Sequence, residues 1–404
     1  MVIKEGYKQT EIGEIPKDWE VKSFKEVSYM KGRIGWQGLN QTEFTMNSNE
    51  PFLITGMNFK NGAIRWDEVY HISEERYEIA KDIQLKDDDV LMTKDGTIGK
   101  LLYVENIPYP YKASLNSHLL VFRPLKNSYN PKYLYYNLLS PYFFKYIELT
   151  KSGTTFFGIS QTSVGEYKII LPPLAEQTAI ATALSDADGL ITGLEKLIAK
   201  KRNIKQGVIQ QLLKPKEGWM NNEIGNVFQF RQGVQCAIEK QSTEDSIGLK
   251  RFIRIVDLSQ TKEIPRYIND PGLSHHIKKT DLFMVRYGNP GLLGYGYDGV
   301  IANNLFRLIP KIRIESNFFY YLLYSKNEDI LQLSSSTTMA ALNFTSLKIL
   351  KLDYPKSLSE QTRIAKILSD MDGELSALEQ KLEKYKKVKL GMMQELLSGK
   401  TRLV

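Results

Sequence analysis

Residues Glu176 to Leu213 occur twice in this chain, and that duplication limits its fold more than any other feature. The first copy opens Glu176-Gln177-Thr178-Ala179-Ile180-Ala181 and the second Glu360-Gln361-Thr362-Arg363-Ile364-Ala365. Leu184-Ser185-Asp186-Ala187-Asp188-Gly189 is matched by Leu368-Ser369-Asp370-Met371-Asp372-Gly373. Gly207, Gln210, Leu212 and Leu213 are matched by Gly391, Gln394, Leu396 and Leu397. One constant offset relates every pair without a gap. A register held over so long a run marks a duplicated structural unit.

The unit has the pattern of a long helix. Ile180, Leu184, Ala187, Ile191, Leu194 and Ile198, then Val208 and Leu212, alternate steps of four and three, the spacing of a coiled-coil seam. The second copy supplies Ile364, Leu368, Met371, Leu375, Leu378, Leu382, Tyr385, Met392 and Leu396. Lys201 and Lys205 interrupt the first seam and Lys389 the second. Pro172-Pro173 before the first copy and Pro215 after it are helix boundaries, and Pro355 stands ahead of the second copy. A seam needs a partner, and each helix is the obvious partner of the other. The expectation is an antiparallel pair, on the order of 57 Å long at about 1.5 Å per residue. The alternative is two amphipathic helices packed separately, each on its own domain.

The segments between the helices also repeat. Trp219 stands where Trp19 stood, Phe252-Ile253-Arg254-Ile255 echoes Phe52-Leu53-Ile54-Thr55, and Asp281-Leu282-Phe283-Met284 echoes Asp89-Val90-Leu91-Met92. Gly288 and Gly291 echo Gly96 and Gly99, and Phe318 to Leu323 echoes the aromatic stretch Tyr133 to Leu139 within a helical region from Pro131 to Thr150. Short apolar runs such as Leu101 to Val104 and His118 to Phe122 are strands separated by glycine turns. The expected class is α+β: two related mixed domains, 1–172 and 215–356, each followed by a long helix, 173–214 and 357–404. The two helices form an antiparallel coiled coil with internal pseudo-two-fold symmetry.

The 404 residues allow two or more domains with their own cores. No run of about eighteen apolar residues is present, so no membrane span is expected. Residues Met1 to Thr10 carry no apolar signal core, and one cysteine, Cys236, fits a reducing cytoplasm. Four histidines and one cysteine argue against a structural zinc, and no metal site is expected. A net charge of +8 is compatible with nucleic acid without establishing it.

Three loops in each domain have base-reading or phosphate-binding chemistry. The first domain offers Lys31, Arg33, Trp36 and Gln37, then Lys94 and Lys100, then Thr154 and Thr155. The second offers Arg231, Gln232 and Gln235, then Arg286, Tyr287 and Asn289, then Ser335 and Thr337. Arginine and lysine grip guanine O6 and N7, glutamine and asparagine grip adenine N6 and N7, and glycines let backbone approach phosphate. Any one of these residues taken alone is more readily an ordinary turn residue in solvent, and it is the set at matched positions in two domains that points to DNA. Duplex DNA is itself pseudo-two-fold, with successive major-groove faces about 34 Å apart, so twin domains suit two half-sites.

Catalytic signals are weak. Gly294-Tyr295-Gly296-Tyr297-Asp298-Gly299 fits G-x-G-x-x-G, but Val300-Ile301 follows where a helix is needed, so a hairpin turn is expected. In Asn130-Pro131-Lys132-Tyr133, Lys132 breaks the second proline position of the amino-methyltransferase tetrapeptide, and Asp87-Asp88-Asp89 fits a charged turn before a strand. No nucleophile–base set stands out, so the chain is not expected to be an enzyme.

Taken together, the helix openings Pro172-Pro173-Leu174-Ala175-Glu176-Gln177-Thr178-Ala179-Ile180 and Ser359-Glu360-Gln361-Thr362-Arg363-Ile364, the Leu-Ser-x-x-Asp steps and the Gln-x-Leu-Leu endings resemble the specificity subunit of type I restriction–modification systems. Tyr354-Pro355-Lys356 departs from the proline pair. The resemblance spans essentially the whole chain, though the recognition domains match only in frame. It implies that each domain reads half of a bipartite, asymmetric double-stranded DNA site, while the helices fix the unread gap and dock two modification subunits. Those subunits would methylate adenine with S-adenosylmethionine. Restriction subunits using ATP and Mg would join them, and this chain itself would bind no cofactor. Two other readings stay open: a helical scaffold that binds no nucleic acid, and the recognition part of an adenine methyltransferase.

Overall fold

The computed structural model describes residues 3–34, 38–60, 63–153, 157–259, 263–334 and 340–403. The chain forms two compact units, 1–194 with 381–404, and 195–380. Two 39-residue helices, Leu174–Leu212 and Leu358–Leu396, carry the duplicated segments. Each helix is divided between the units, so each unit holds the start of one and the end of the other.

The first unit is built on two four-stranded sheets. One runs in the order Leu101–Tyr103, Val90–Thr93, Leu119–Pro124, Ser28–Gly32, wholly antiparallel. The other runs Tyr70–His71, Phe52–Ile54, Ala113–Leu115, Gln84–Leu85, with its central pair parallel. Alternation along the shared strands feeds two cores. Val90, Met92, Leu120 and Phe122 face one, while Leu91, Leu119 and Val121 face the other. Apolar residues on both faces explain why these strands are continuous hydrophobic runs rather than alternating ones.

The second unit has the same strand order. Phe228–Gln232, Leu305–Pro310, Leu282–Val285 and Leu293–Gly294 form one sheet; Arg266–Asn269, Leu249–Ile253, Gly299–Ile301 and His276–Ile277 form the other. Leu282, Met284, Phe306 and Leu308 face one core, and Phe283, Val285 and Leu305 the second. Asp89 takes a two-pronged contact from Arg123 at 2.7 and 2.7 Å, and its counterpart Asp281 takes Arg307 at 2.9 Å.

The helical stretch from Pro131 divides into Pro131–Leu138 and Pro141–Thr150. Ser140 precedes a proline, which disfavours helical backbone there. The G-x-G-x-x-G segment is not a hairpin. Leu293–Gly294 and Gly299–Ile301 belong to different sheets, so the segment crosses between them.

Each helix start docks on the domain that precedes it. Gln177 is buried, accepts from the Asn130 amide at 2.8 Å and donates to the Pro172 carbonyl at 2.8 Å. Gln361 does the same with Glu315 at 2.9 Å and Pro355 at 2.8 Å. Ile180, Ala181 and Leu184 enter the first core beside Met393, Leu396 and Leu397 from the other helix's end. Ile364, Ala365 and Leu368 enter the second core beside Ile209 and Leu213. At these ends Ile209, Leu213 and Met393 are buried, one position past the expected seam residues Val208, Leu212 and Met392, while Leu396 is buried at its seam position. There the helix turns its face toward the domain.

Within each unit the two helices run antiparallel, and the seam lysines have partners. Lys389 donates to Asp188 at 2.6 Å, and Tyr136 donates to the same carboxylate at 2.9 Å. In the second unit Lys205 donates to Asp372, which also takes the Tyr321 hydroxyl at 2.6 Å. Lys201 with Glu374 at 2.7 Å and Arg202 with Glu379 at 2.6 Å extend that contact. Burial and the adjacent carboxylate push both tyrosine hydroxyls above their ordinary range.

One junction has no equal in the other unit. Glu176 is buried and accepts from Trp19 Nε1 at 2.9 Å and from Arg402 at 2.7 and 2.8 Å. Arg402 also holds Asp18 at 3.0 and 2.8 Å, and Tyr7 donates to the Gly399 carbonyl at 2.8 Å. This ties the tail after the second helix to the entry of the first domain. Among the described residues the side chain of Glu360, the counterpart of Glu176, meets Lys216 alone, at 4.0 Å.

Candidate nucleic-acid interface

In each unit the loops singled out by chemistry converge at one edge of the antiparallel sheet. In the first, the Lys94 amide bonds to the His118 carbonyl at 2.9 Å, and Ile159 bonds to the Lys94 carbonyl at 2.9 Å. Gly96 bonds to the Phe157 carbonyl at 3.1 Å, and Gly32 ends its strand opposite Leu120. In the second, the Arg286 amide bonds to Asn304 at 2.8 Å, Leu342 bonds to the Arg286 carbonyl at 3.0 Å, and Gly233 bonds to Leu305 at 2.9 Å. Matching backbone hydrogen bonds make Lys94 the equivalent of Arg286 and His118 the equivalent of Asn304. Gly96 and Gly99 have φ of 73° and 82°, and Gly288 and Gly291 have 92° and 87°, left-handed turns that favour glycine. A Cβ on Gly99 would stand 2.8 Å from Ile147 Cδ1, so that turn also needs close packing.

The side chains at the two edges differ. Lys100 is exposed, and Lys94 is half-buried with its ammonium 3.9 Å from Asp95. Asp95 also meets His118 at 3.2 Å. Lys31 pairs with Asp82 at 3.3 Å. Arg33 departs from expectation: it is buried, and its guanidinium bonds the Leu115 carbonyl and the Ser114 hydroxyl, each at 3.0 Å. Burial, with the nearby Arg76 charge, pulls it down to about 10. It ties the end of one sheet to a central strand of the other.

In the second unit Arg231 is exposed and donates to the Ser274 carbonyl at 2.9 Å. Gln232 donates to the Asn303 carbonyl and accepts from Arg286 at 2.9 Å. Tyr287 is half-buried and bridges to Ala341, while Gln235 and Asn289 are exposed. Trp36, Gln37, Thr154, Thr155, Ser335 and Thr337 lie outside the described residues.

Sequence reasoning passed over His118 and Asn304. The signal was available: each sits in a polar turn, Asn116-Ser117-His118 or Asn303-Asn304, directly before a strand of the core. No group of His, Cys, Asp or Glu among the described residues could hold a metal ion. No helix among them is long and apolar enough to cross a membrane.

The profile described as the type I restriction modification DNA specificity domain matches residues 16–206 and 216–388, one repeat after the other. The chain is 30% identical to the protein named the MjaX type I restriction enzyme specificity subunit of Methanocaldococcus jannaschii, over 99% of this chain and 97% of that one. It is 21% identical to the EcoBI specificity subunit of Escherichia coli, over 73% of this chain and 69% of that one. Its fold matches the crystal structure of the type I restriction–modification S subunit from M. genitalium with a TM-score of 0.63 at 16% identity, covering 98% of each chain. Twin domains of one topology, paired helices and a profile matched twice in tandem together place this chain in the type I restriction–modification DNA specificity family.

Proposed function

We propose that each domain reads one half of a bipartite, asymmetric double-stranded DNA site. On this reading the chain supplies the address of a type I restriction–modification complex and no chemistry. The observation that carries it is the pairing of one frame with two different edges. Equivalent positions hold Lys94 and Arg286, Asp95 and Tyr287, Lys100 and Leu292, His118 and Asn304. Two copies of one reader would recognise a symmetric site; two readers with different edges recognise an asymmetric one.

The paired helices set the number of unread base pairs and dock two modification subunits. Those partners carry S-adenosylmethionine, and the restriction subunits carry ATP and Mg. The Lys–Asp–Tyr contacts support a fixed helix register, because a slip along the seam separates both ion pairs at once.

The test is the gap itself. Removing four residues around Lys200 shortens the first helix by roughly 6 Å. The unread gap then shrinks or binding fails, and an unchanged gap refutes the spacer role. Affinity for duplex DNA that does not fall with salt refutes DNA binding altogether.

A further inference from the structure

We propose that Arg286 is the guanine-reading residue of the second domain. This assignment rests on the recognition role above and narrows it to one side chain. Nε of Arg286 donates to the Leu342 carbonyl at 3.3 Å, and Nη1 donates to Gln232 Oε1 at 2.9 Å. Its guanidinium carbon lies 4.2 Å from the Phe344 ring centre and 4.8 Å from that of Tyr287. Phe344 is itself fixed against Phe230 and Phe306 at 5.4 and 4.9 Å.

Two hydrogen bonds and two aromatic rings therefore set the position of the guanidinium before any ligand arrives. Nη2 has no partner among the described residues, and Nη1 keeps one N–H beyond its bond to Gln232. That leaves one donor on Nη1 and two on Nη2, so each terminal nitrogen can supply a donor to the O6 and N7 acceptors of guanine. Adenine places its N6 donor where O6 would be, so the same fork meets a donor and loses a bond. Pre-organisation lowers the side-chain entropy lost on binding, and half-burial has already removed much of the hydration.

Other candidates at this edge are less suited. Arg231 is committed to Ser274, and Gln232 is occupied by Asn303 and by Arg286 itself. Gln235 and Asn289 are exposed, and among the described residues no side-chain hydrogen bond holds them. The equivalent residue of the first domain, Lys94, is a single point charge beside Asp95 and has no such fork.

The experiment selects duplexes from a random library with the full chain, then replaces each guanine of the enriched site by 7-deazaguanine, which removes N7. With the unaltered chain, one replacement in the second domain's half-site weakens binding by roughly ten- to a hundredfold. With Arg286→Ala the same replacement costs nothing further. Phe344→Leu, which keeps the arginine and removes one wall, shows a smaller loss at the same base. The analogue scan needs no variant and can overturn the assignment even if Arg286→Ala misfolds, and Phe344→Leu then ties the sensitive guanine to the arginine. The assignment is overturned if no guanine in that half-site is sensitive. It is equally overturned if Arg286→Ala weakens all sequences alike and lowers the salt slope by about one, the behaviour of a phosphate contact. A selection that enriches no motif overturns the recognition role, and this assignment with it.

Discussion

The two domains are alike where they meet the helices and unlike where their loops gather. Gln177 and Gln361 make the same pair of bonds, and Asp188 and Asp372 take the same tyrosine and lysine partners. At the loop edge, by contrast, a lysine replaces an arginine, an aspartate replaces a tyrosine, and a histidine replaces an asparagine. A duplicated frame can thus be held constant by its helix contacts while its edges take on separate chemistry. A clear exception at the helix side is the Glu176 junction, which the segment after the second helix closes.

That exception provides the largest test. Glu176→Ala leaves Arg402 without its buried carboxylate and is expected to cost the first unit about 3–5 kcal/mol. Glu360→Ala breaks only a long, partly exposed pair and is expected to cost less than about 1 kcal/mol. Urea denaturation of both variants measures the contrast, and equal losses would remove the asymmetry. The matched contacts make the opposite forecast. Lys389→Met and Lys205→Met each strip a carboxylate of a charged hydrogen bond, so each costs about 1–3 kcal/mol, and the two costs should be nearly equal. A large difference between them would show that the two halves of the helix pair are not equivalent.

The smallest effect concerns acid. Burial raises the Asp257 carboxyl, but hydrogen bonds from Arg251 and Arg254 outweigh it and hold it below its ordinary range. The folded protein therefore binds this proton less readily than the unfolded chain does. Its stabilising share is complete above the unfolded carboxylate value, near 4, and disappears as pH falls through the lower folded value. Asp257→Asn should flatten the acid limb of the second unit's stability below about pH 4. An unchanged limb would assign acid sensitivity elsewhere.

Much of this organisation was legible in the residues. Heptad spacing and the ungapped offset identified both helices and their pairing, because a seam must bury each of its residues in turn. The strand frame was legible because runs such as Val90 to Met92 and Leu282 to Met284 are apolar on both faces. The division of each helix between two units was not legible, since Ile180 and Ile198 satisfy one periodicity whatever covers them. The burial of Arg33 was not legible for a related reason. A glycine-flanked arginine looks the same whether its guanidinium meets solvent or bonds Leu115 and Ser114 beneath the loop. The partners of Glu176 were hidden by distance along the chain, for nothing local to Arg402 points to a residue so far upstream.

The central claim is that two unlike edges on one frame read two separate half-sites. The most direct measurement is methylome sequencing of cells that carry this chain, that lack it, or that carry it with residues 217–355 exchanged for those of a relative. The account predicts a bipartite adenine-methylated motif that vanishes with the chain and changes in one half only after the exchange. A motif that survives without the chain, or an exchange that alters both halves, would contradict it.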